Sequence, residues 1–322
     1  MSKKSYDKKL EDLQALRSSP ESATPQLRKA LQDRNNYVVS KAAAIAAELG
    51  LSDLIPDLLA GFDHFMSDPV KSDPQCWAKN AIAKALKDVG HRGPQVYIRG
   101  LAHVQYEPVW GGRADTAATL RGICAHALVD THLDDLEILG HLGDALADPE
   151  KPVRMDAATA IAQLGRPEGA LLLRLKALLG DAESDVVGQC FLCLVSLTPR
   201  DAVPFLSKFL KTASDDIRLE AAAALAQSRE AEALELLKTF WRERLSPQLR
   251  RAVVTSLAAC PQAEAADWLL SLVETEPGDV AITAVEALAA SRFRADVRER
   301  ARTAVAASAD PQVARAFDKV FG

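Results

Sequence analysis

The chain has few aromatic residues: Phe, Trp and Tyr together make up 5% of its 322 residues. Sheets draw on aromatic and β-branched side chains, so this scarcity, set against an abundance of Ala and Leu, argues for helices. No apolar run approaches the roughly 18 residues that a membrane-spanning helix requires. The first residues, Met1-Ser2-Lys3-Lys4-Ser5-Tyr6, carry positive charge but no apolar stretch follows, so no secretory signal is expected. The five cysteines are an odd number without disulfide-framework spacing. A reduced, cytoplasmic protein is the expectation. An excess of positive charge is also missing, since 39 basic and 44 acidic groups leave a net charge of -5. That balance argues against the basic footprint of a nucleic-acid binder. What is present, 48% hydrophobic and 26% charged residues, fits a folded chain and excludes wholesale disorder.

The order within the chain is a repeat. The stretch from Val153-Arg154 through Ala157-Ala158 to Leu164-Gly165 has counterparts beginning at Val38, Val186, Ile217, Leu249 and Val280. With gaps, Ala78 and Leu120 begin two more, and Val313 a last one. The successive intervals are 40, 42, 33, 33, 31, 32, 31 and 33 residues. Apolar residues fall at positions 1, 5, 9 and 12 of this frame, one face of a helix. Each frame follows another apolar helix, such as 170–179 or 202–210, and turn signals such as Gly180-Asp181 and Pro277-Gly278 part the two. Asp134 with Glu137 has the form of a capping box opening one first helix. Pro204 is expected in the first turn of its helix, where its missing N–H costs little.

The Val-Arg pair, the two alanines, the closing Leu-Gly and the Asp-containing turn together resemble the HEAT family, in the short bacterial form named after phycobilin lyases. Val153-Arg154 to Leu164-Gly165 and Ile217-Arg218 to Leu225 carry the likeness best, and it extends over about residues 25 to 320. The resemblance implies an all-α solenoid, a right-handed superhelix of about eight or nine helical hairpins stacked on one continuous core. It also implies that second helices line the concave face and that basic residues at frame position 2 pair with turn aspartates. These are Lys79, Arg121, Arg154, Arg218 and Arg250. One elongated domain over residues 1–322 is expected, with a cap helix in 1–24, irregular repeats in 25–150, and regular repeats with a C-terminal cap in 151–322.

The two long intervals come from extra residues within 63–74 and 104–115, each between the two helices of a repeat, so both should emerge on one rim. Insertions in solenoids map to one face, often the binding face. All six histidines lie between 64 and 141, as do Trp77, Tyr97, Tyr106 and Trp110. Residues 51–150 hold 8 basic and 15 acidic groups, a net of -7. On the second helices beside these inserts, Lys84 with Asp88 and His126 with Asp130 stand four residues apart, as neighbours on the helix surface. Trp110, flanked by Tyr106, Pro108 and the Gly111-Gly112-Arg113 turn, is either tucked over the edge or an interface anchor.

Other motifs read as structural. Cys190 and Cys193 form a CxxC, but they occupy frame positions 5 and 8, where buried small residues belong. Cys124, His126, Asp130, His132 and His141 match no zinc spacing. No histidine is followed by Glu, so the His-Glu ligand pairs of HEAT-type iron hydroxylases are missing. Arg292, Arg294, Arg298, Arg300 and Arg302 read as a solvated cap face. With no triad, phosphate loop or metal motif, the sequence favours a non-enzymatic scaffold that needs no cofactor. It would bind a protein partner through Trp110, Tyr106 and Arg113, together with Trp77, Lys84, Asp88, Arg121, His126 and Asp130. A small-molecule protein, bilin-lyase-like, with a pocket around His126, Asp130 and Arg121 is the alternative. A nucleic-acid binder ranks third.

Overall fold

A computed structural model describes residues 3–18, 20–212, 214–308 and 310–322. The chain divides into two compact units, Met1–Leu164 and Gly165–Gly322. Both are built from stacked α-helical hairpins, the solenoid architecture that the repeat implies, and the first also carries one short β-hairpin.

The first unit opens with α1 (Lys3–Ala15), followed by α2 (Pro20–Leu31) and α3 (Asn36–Glu48). Then come α4 (Ile55–Ser67), a single-turn α5 (Pro69–Ser72) and α6 (Trp77–Asp88). Helix α7 (Pro94–Leu101), strands β1 (Tyr106–Val109) and β2 (Gly112–Asp115), and α8 (Ala118–Leu128) form the third repeat, and α9 (Asp135–Ala145) with α10 (Lys151–Leu164) the fourth. The second helices α3, α6, α8 and α10 pack side by side in one layer, and each returns across its own first helix.

Among the described residues the second unit contains five hairpins: α11 (Gly169–Leu179) with α12 (Ser184–Leu197), α13 (Pro199–Thr212) with α14 (Asp215–Ala226), and α15 (Ala231–Trp241) with α16 (Pro247–Ser256). Helices α17 (Ala263–Thr275) with α18 (Gly278–Ala290), and α19 (Arg294–Ala307) with α20 (Pro311–Phe321), complete it. Here α12, α14, α16, α18 and α20 make the layer of second helices.

The repeat frame maps onto this packing. Its starts fall in α3, α6, α8, α10, α12, α14, α16, α18 and α20. Position 5 is buried in all of them, from Ala42, Ile82 and Cys124 to Ala284 and Phe317. The alanines and cysteines among them admit a neighbouring helix closely, and the leucines at position 9, such as Leu86, Leu128 and Leu225, are buried with them. Local signals set the ends. Asn35 accepts from the backbone N–H of Tyr37 and Val38 to start α3, and Asp134 accepts from Leu136 N to start α9, where the capping box placed it. Gly90, at φ +80°, closes α6 while His91 N donates to Leu86 O at 2.9 Å, a left-handed position that other residues rarely take.

One expectation needs correcting. Pro204 does not sit in the first turn of its helix, because α13 already begins at Pro199 directly after α12. Pro199 takes the N-terminal position, and Pro204 lies inside the helix, where it has no N–H for the carbonyl one turn back.

Candidate functional site: the β-hairpin of the third repeat

The residues expected to form a loop between α7 and α8 fold into a two-stranded antiparallel hairpin. Tyr106 pairs with Asp115, Glu107 with Ala114, Pro108 with Arg113 and Val109 with Gly112, leaving Trp110-Gly111 as the turn. Gly111 has φ +88°, the positive value that a tight turn demands at its second residue. Alternation places Tyr106, Pro108, Arg113 and Asp115 on one face and Glu107, Val109, Gly112 and Ala114 on the other. Trp110 at the tip is 103% exposed, so it is not tucked over the edge. Val104, Tyr106 and Val109 are also exposed, which makes the hairpin an unusual concentration of solvated apolar side chains.

A two-stranded hairpin is marginal by itself in water. This one is pinned at its base by buried polar groups. The carboxylate of Glu107 accepts from Gln75 N at 2.6 Å, Gln105 Nε2 at 2.7 Å and Thr116 Oγ1 at 2.6 Å. Asp115 accepts from Gln105 N at 3.0 Å and Ala117 N at 2.9 Å, and pairs with Arg121 Nη1 at 2.7 Å. Arg121 also grips Asp148 through Nε and Nη2 at 2.8 and 3.0 Å and donates to His103 O at 2.9 Å. Burial pushes both Glu107 and Asp115 up, but their hydrogen bonds and the nearby Lys79 and Arg121 outweigh it and hold both pKa values below the ordinary carboxylate range.

The first insert joins the same network. Gln105 Nε2 donates to Asp73 O at 2.9 Å. The Asp73 side chain accepts from Ala78 N and Lys79 N and pairs with Lys79 Nζ at 3.0 Å, both side chains being fully buried. Gln75 and Cys76 adopt left-handed φ values of 60° and 59°, and the Gln75–Glu107 bond fixes that strained corner. The expectation that both inserts emerge on one rim therefore holds, and the inserts bond to each other there.

Arg121 itself requires a correction. Expected beside His126 and Asp130 in a pocket, it is 2% exposed and its guanidinium is committed to Asp115, Asp148 and His103 O, so it is an ion-pair hub. Lys84 and Asp88 do pair, at 2.5 Å on the surface. His126 does not pair with Asp130. Its Nδ1 lies 2.8 Å from Gln163 Oε1 and its Nε2 3.4 Å from Asp156 Oδ1, both on α10. The Asp156 hydrogen bond raises the His126 pKa above its ordinary value of about 6.5, against the opposing effect of burial.

Room for that contact comes from Gly122, since a Cβ there would collide with the Asp156 carboxylate. Gly122→Ala is thus expected to drive Asp156 away and return the His126 pKa toward its ordinary value. NMR titration of the His126 ring checks this, and an unchanged pKa would contradict it. Because the folded pKa is raised, the contact's contribution to stability is complete below about pH 6.5 and fades as pH rises through the folded pKa. The Gly122→Ala variant should lose that pH dependence.

The basic column at frame position 2 is structural, as the resemblance implies. Besides Lys79 and Arg121, Arg154 donates to Asp148 O and Pro149 O, Arg218 pairs with Asp215 and Glu243, and Arg250 pairs with Glu276. Cys190 and Cys193 are buried, and burial pushes the Cys190 thiol up to about 12, which removes thiolate reactivity at neutral pH. Among the described residues, no group of three or more His, Cys, Asp or Glu side chains is arranged to hold a metal ion. In the C-terminal arginine run, Arg294 donates to Val320 O, Arg300 pairs with Asp267 and Arg302 with Glu299.

One surface escaped the sequence reading. Leu171, Leu175, Leu178 and Leu179 of α11 are 70%, 55%, 64% and 77% exposed and share one side of the helix. Leucines occur on every side of the segment, interrupted by charge only at Arg174 and Lys176, so periodicity gave no sign of which leucines face water. Replacing Leu175 and Leu178 together with Lys is expected to change stability by no more than about 0.5 kcal/mol, as urea unfolding would show. A larger loss would mean that these side chains are covered in solution.

Residues 173–247 match the family of HEAT repeats. No curated protein matches the chain. Among solved structures, a chain of the CpcE–CpcF phycocyanin lyase complex from Nostoc sp. PCC7120 is 18% identical, covering 80% of this chain and 92% of that one, with a TM-score of 0.39. Human deoxyhypusine hydroxylase in complex with glycerol is 18% identical over 77% of this chain and 88% of that one, with a TM-score of 0.32. An engineered protein is 17% identical over 93% and 88%, with a TM-score of 0.36. No helix of the described residues is long and apolar enough to cross a membrane.

Proposed function

We propose that this HEAT-repeat chain is a non-enzymatic adaptor whose hairpin between α7 and α8 docks a protein partner. The observation that carries the reading is Trp110, wholly exposed on a turn whose base is locked by buried ion pairs. An aromatic side chain held in water costs free energy that a partner's pocket would recover, and a pre-ordered anchor loses little entropy on binding. Tyr106 and Arg113 lie on one face of the same hairpin and supply an amphipathic ring and a guanidinium beside that anchor. The basic column is occupied by carboxylates and carbonyls instead of standing open to phosphates, which supports a protein rather than a nucleic acid as partner.

The test is photo-crosslinking in native extract with a benzophenone amino acid at position 110 and, separately, at position 303 of α19 as a control. The expected result is a discrete protein adduct formed from position 110 alone. Adducts of the same proteins from both positions, or none from position 110, would overturn the reading.

A further inference from the structure

The hairpin has two outer edges, and they are not equivalent. Thr116 N donates to Gln105 O at 2.9 Å, which sets the alternation along the ladder. Glu107–Ala114 and Val109–Gly112 are then the hydrogen-bonded pairs, and Tyr106–Asp115 and Pro108–Arg113 turn their main-chain groups outward. On β1 the outward row is broken at Pro108, which has no N–H to give and so guards that edge. On β2 both Arg113 and Asp115 present a complete N–H and C=O, and no hydrogen bond takes these up among the described residues. No helix packs along β2 there either. The Asp115 side chain is only 3% exposed while the residue as a whole is half-buried, so what it shows to water is main chain.

The side chains along this edge state what would fit beside them. Arg113 is exposed, and no carboxylate pairs with it among the described residues. Its neighbour on the same face, Asp115, is already neutralised by Arg121, so the open charge on that face is one positive. The opposite face is bare at Gly112 and Ala114, which leaves Val109 on β1 48% exposed behind them. An added strand with a branched apolar side chain opposite Gly112 or Ala114 would cover Val109 across the gap. A second copy of this chain fits less well. Two β2 strands meeting about Ala114 would set Arg113 against Asp115, whose carboxylate Arg121 already holds, and four-residue strands bury far less than the roughly 1,200 Å² of a stable interface.

We infer that the partner docks by adding an extended segment as a third strand, antiparallel to β2, with an acidic residue between two apolar ones. The acidic residue sits opposite Arg113, donating its N–H to Arg113 O and accepting from Arg113 N, with its carboxylate beside the guanidinium. The flanking apolar residues lie opposite Gly112 and Ala114 and cover Val109. Running toward the turn, the segment carries the rest of the partner past Trp110. The inference rests on the adaptor reading for the existence of a partner and adds the chemistry and backbone conformation of what that partner offers.

The test uses the full chain, its backbone amides followed by NMR, and short synthetic peptides with Val-Asp-Val or Val-Lys-Val at the centre of a Gly/Ser background. The Val-Asp-Val peptide is expected to shift the Arg113 and Asp115 amides and slow their hydrogen exchange, and the Val-Lys-Val peptide to bind about tenfold more weakly. Methylating the Asp nitrogen of the peptide, which faces Arg113 O, should weaken binding at least about tenfold, whereas methylating the nitrogen of the second Val, which points away, should not. Arg113→Ala should weaken the peptide by removing the charge, and Arg113→Pro should weaken it further by also removing the outward N–H. No response at the Arg113 and Asp115 amides up to millimolar Val-Asp-Val peptide, or equal losses from the two methylations, would overturn the inference. Concentration-dependent shifts of those amides in the peptide-free chain would assign the edge to a second copy and overturn it as well. An adduct from position 110 with silent Arg113 and Asp115 amides would overturn the strand pairing alone, and pairing at β2 without any adduct from position 110 would overturn the adaptor reading alone.

Discussion

Arg121→Ala is expected to cost about 3–5 kcal/mol of stability, the usual penalty for breaking a buried ion pair from one side. The side chain is 2% exposed and makes charge-assisted contacts to Asp115 and Asp148. Its removal leaves Asp115 and Asp148 as poorly solvated carboxylates without their common cation, along with the His103 carbonyl. Arg121→Lys should recover only part of the loss, because one ammonium cannot reproduce contacts made by Nε and both Nη atoms. Urea unfolding followed by far-ultraviolet circular dichroism gives the number. A cost below about 1 kcal/mol, the range of an exposed pair, would show that the network is not what holds the hairpin base.

The second large effect is expected at the hairpin tip. Trp110→Ala/Arg113→Glu removes side chains that water surrounds and that no buried partner holds, so stability should stay within about 0.5 kcal/mol of wild type. Partner affinity should fall by at least about thirtyfold, since a single interface anchor is commonly worth 2 kcal/mol or more. Gly111 and Gly112 remain in place, so the turn geometry is preserved and the loss is assignable to the two side chains. Isothermal titration with the partner identified by crosslinking measures the affinity, and thermal melting measures the stability. A large loss of stability with unchanged affinity would reverse the assignment of roles between hairpin tip and base.

Much of the architecture was legible because each repeat buries the same frame positions. Ala42, Cys124, Ala157, Cys190 and Ala221 all fill position 5, so one rule applied repeatedly located the second helices and explained the CxxC. The site was harder to read, for reasons that are physical. Asp73, Gln105, Glu107 and Asp115 lie in the inserts, outside the frame, and their partners are set by three-dimensional proximity rather than spacing. The strand Tyr106–Val109 contains Pro108, which reads as a loop signal although an edge strand tolerates it. The expected pairing of His126 with Asp130 applied a within-helix rule where the nearer carboxylate, Asp156, comes from the next repeat. Arg121 followed the position-2 pattern more closely than its placement in a pocket allowed.

The most direct measurement is affinity capture from the native source with three baits side by side: wild type, Trp110→Ala/Arg113→Glu and Leu175→Lys/Leu178→Lys. The account expects a protein retained by wild type and by the leucine variant and lost from the hairpin variant. Retention by the hairpin variant together with loss from the leucine variant would contradict it and move the interface to α11.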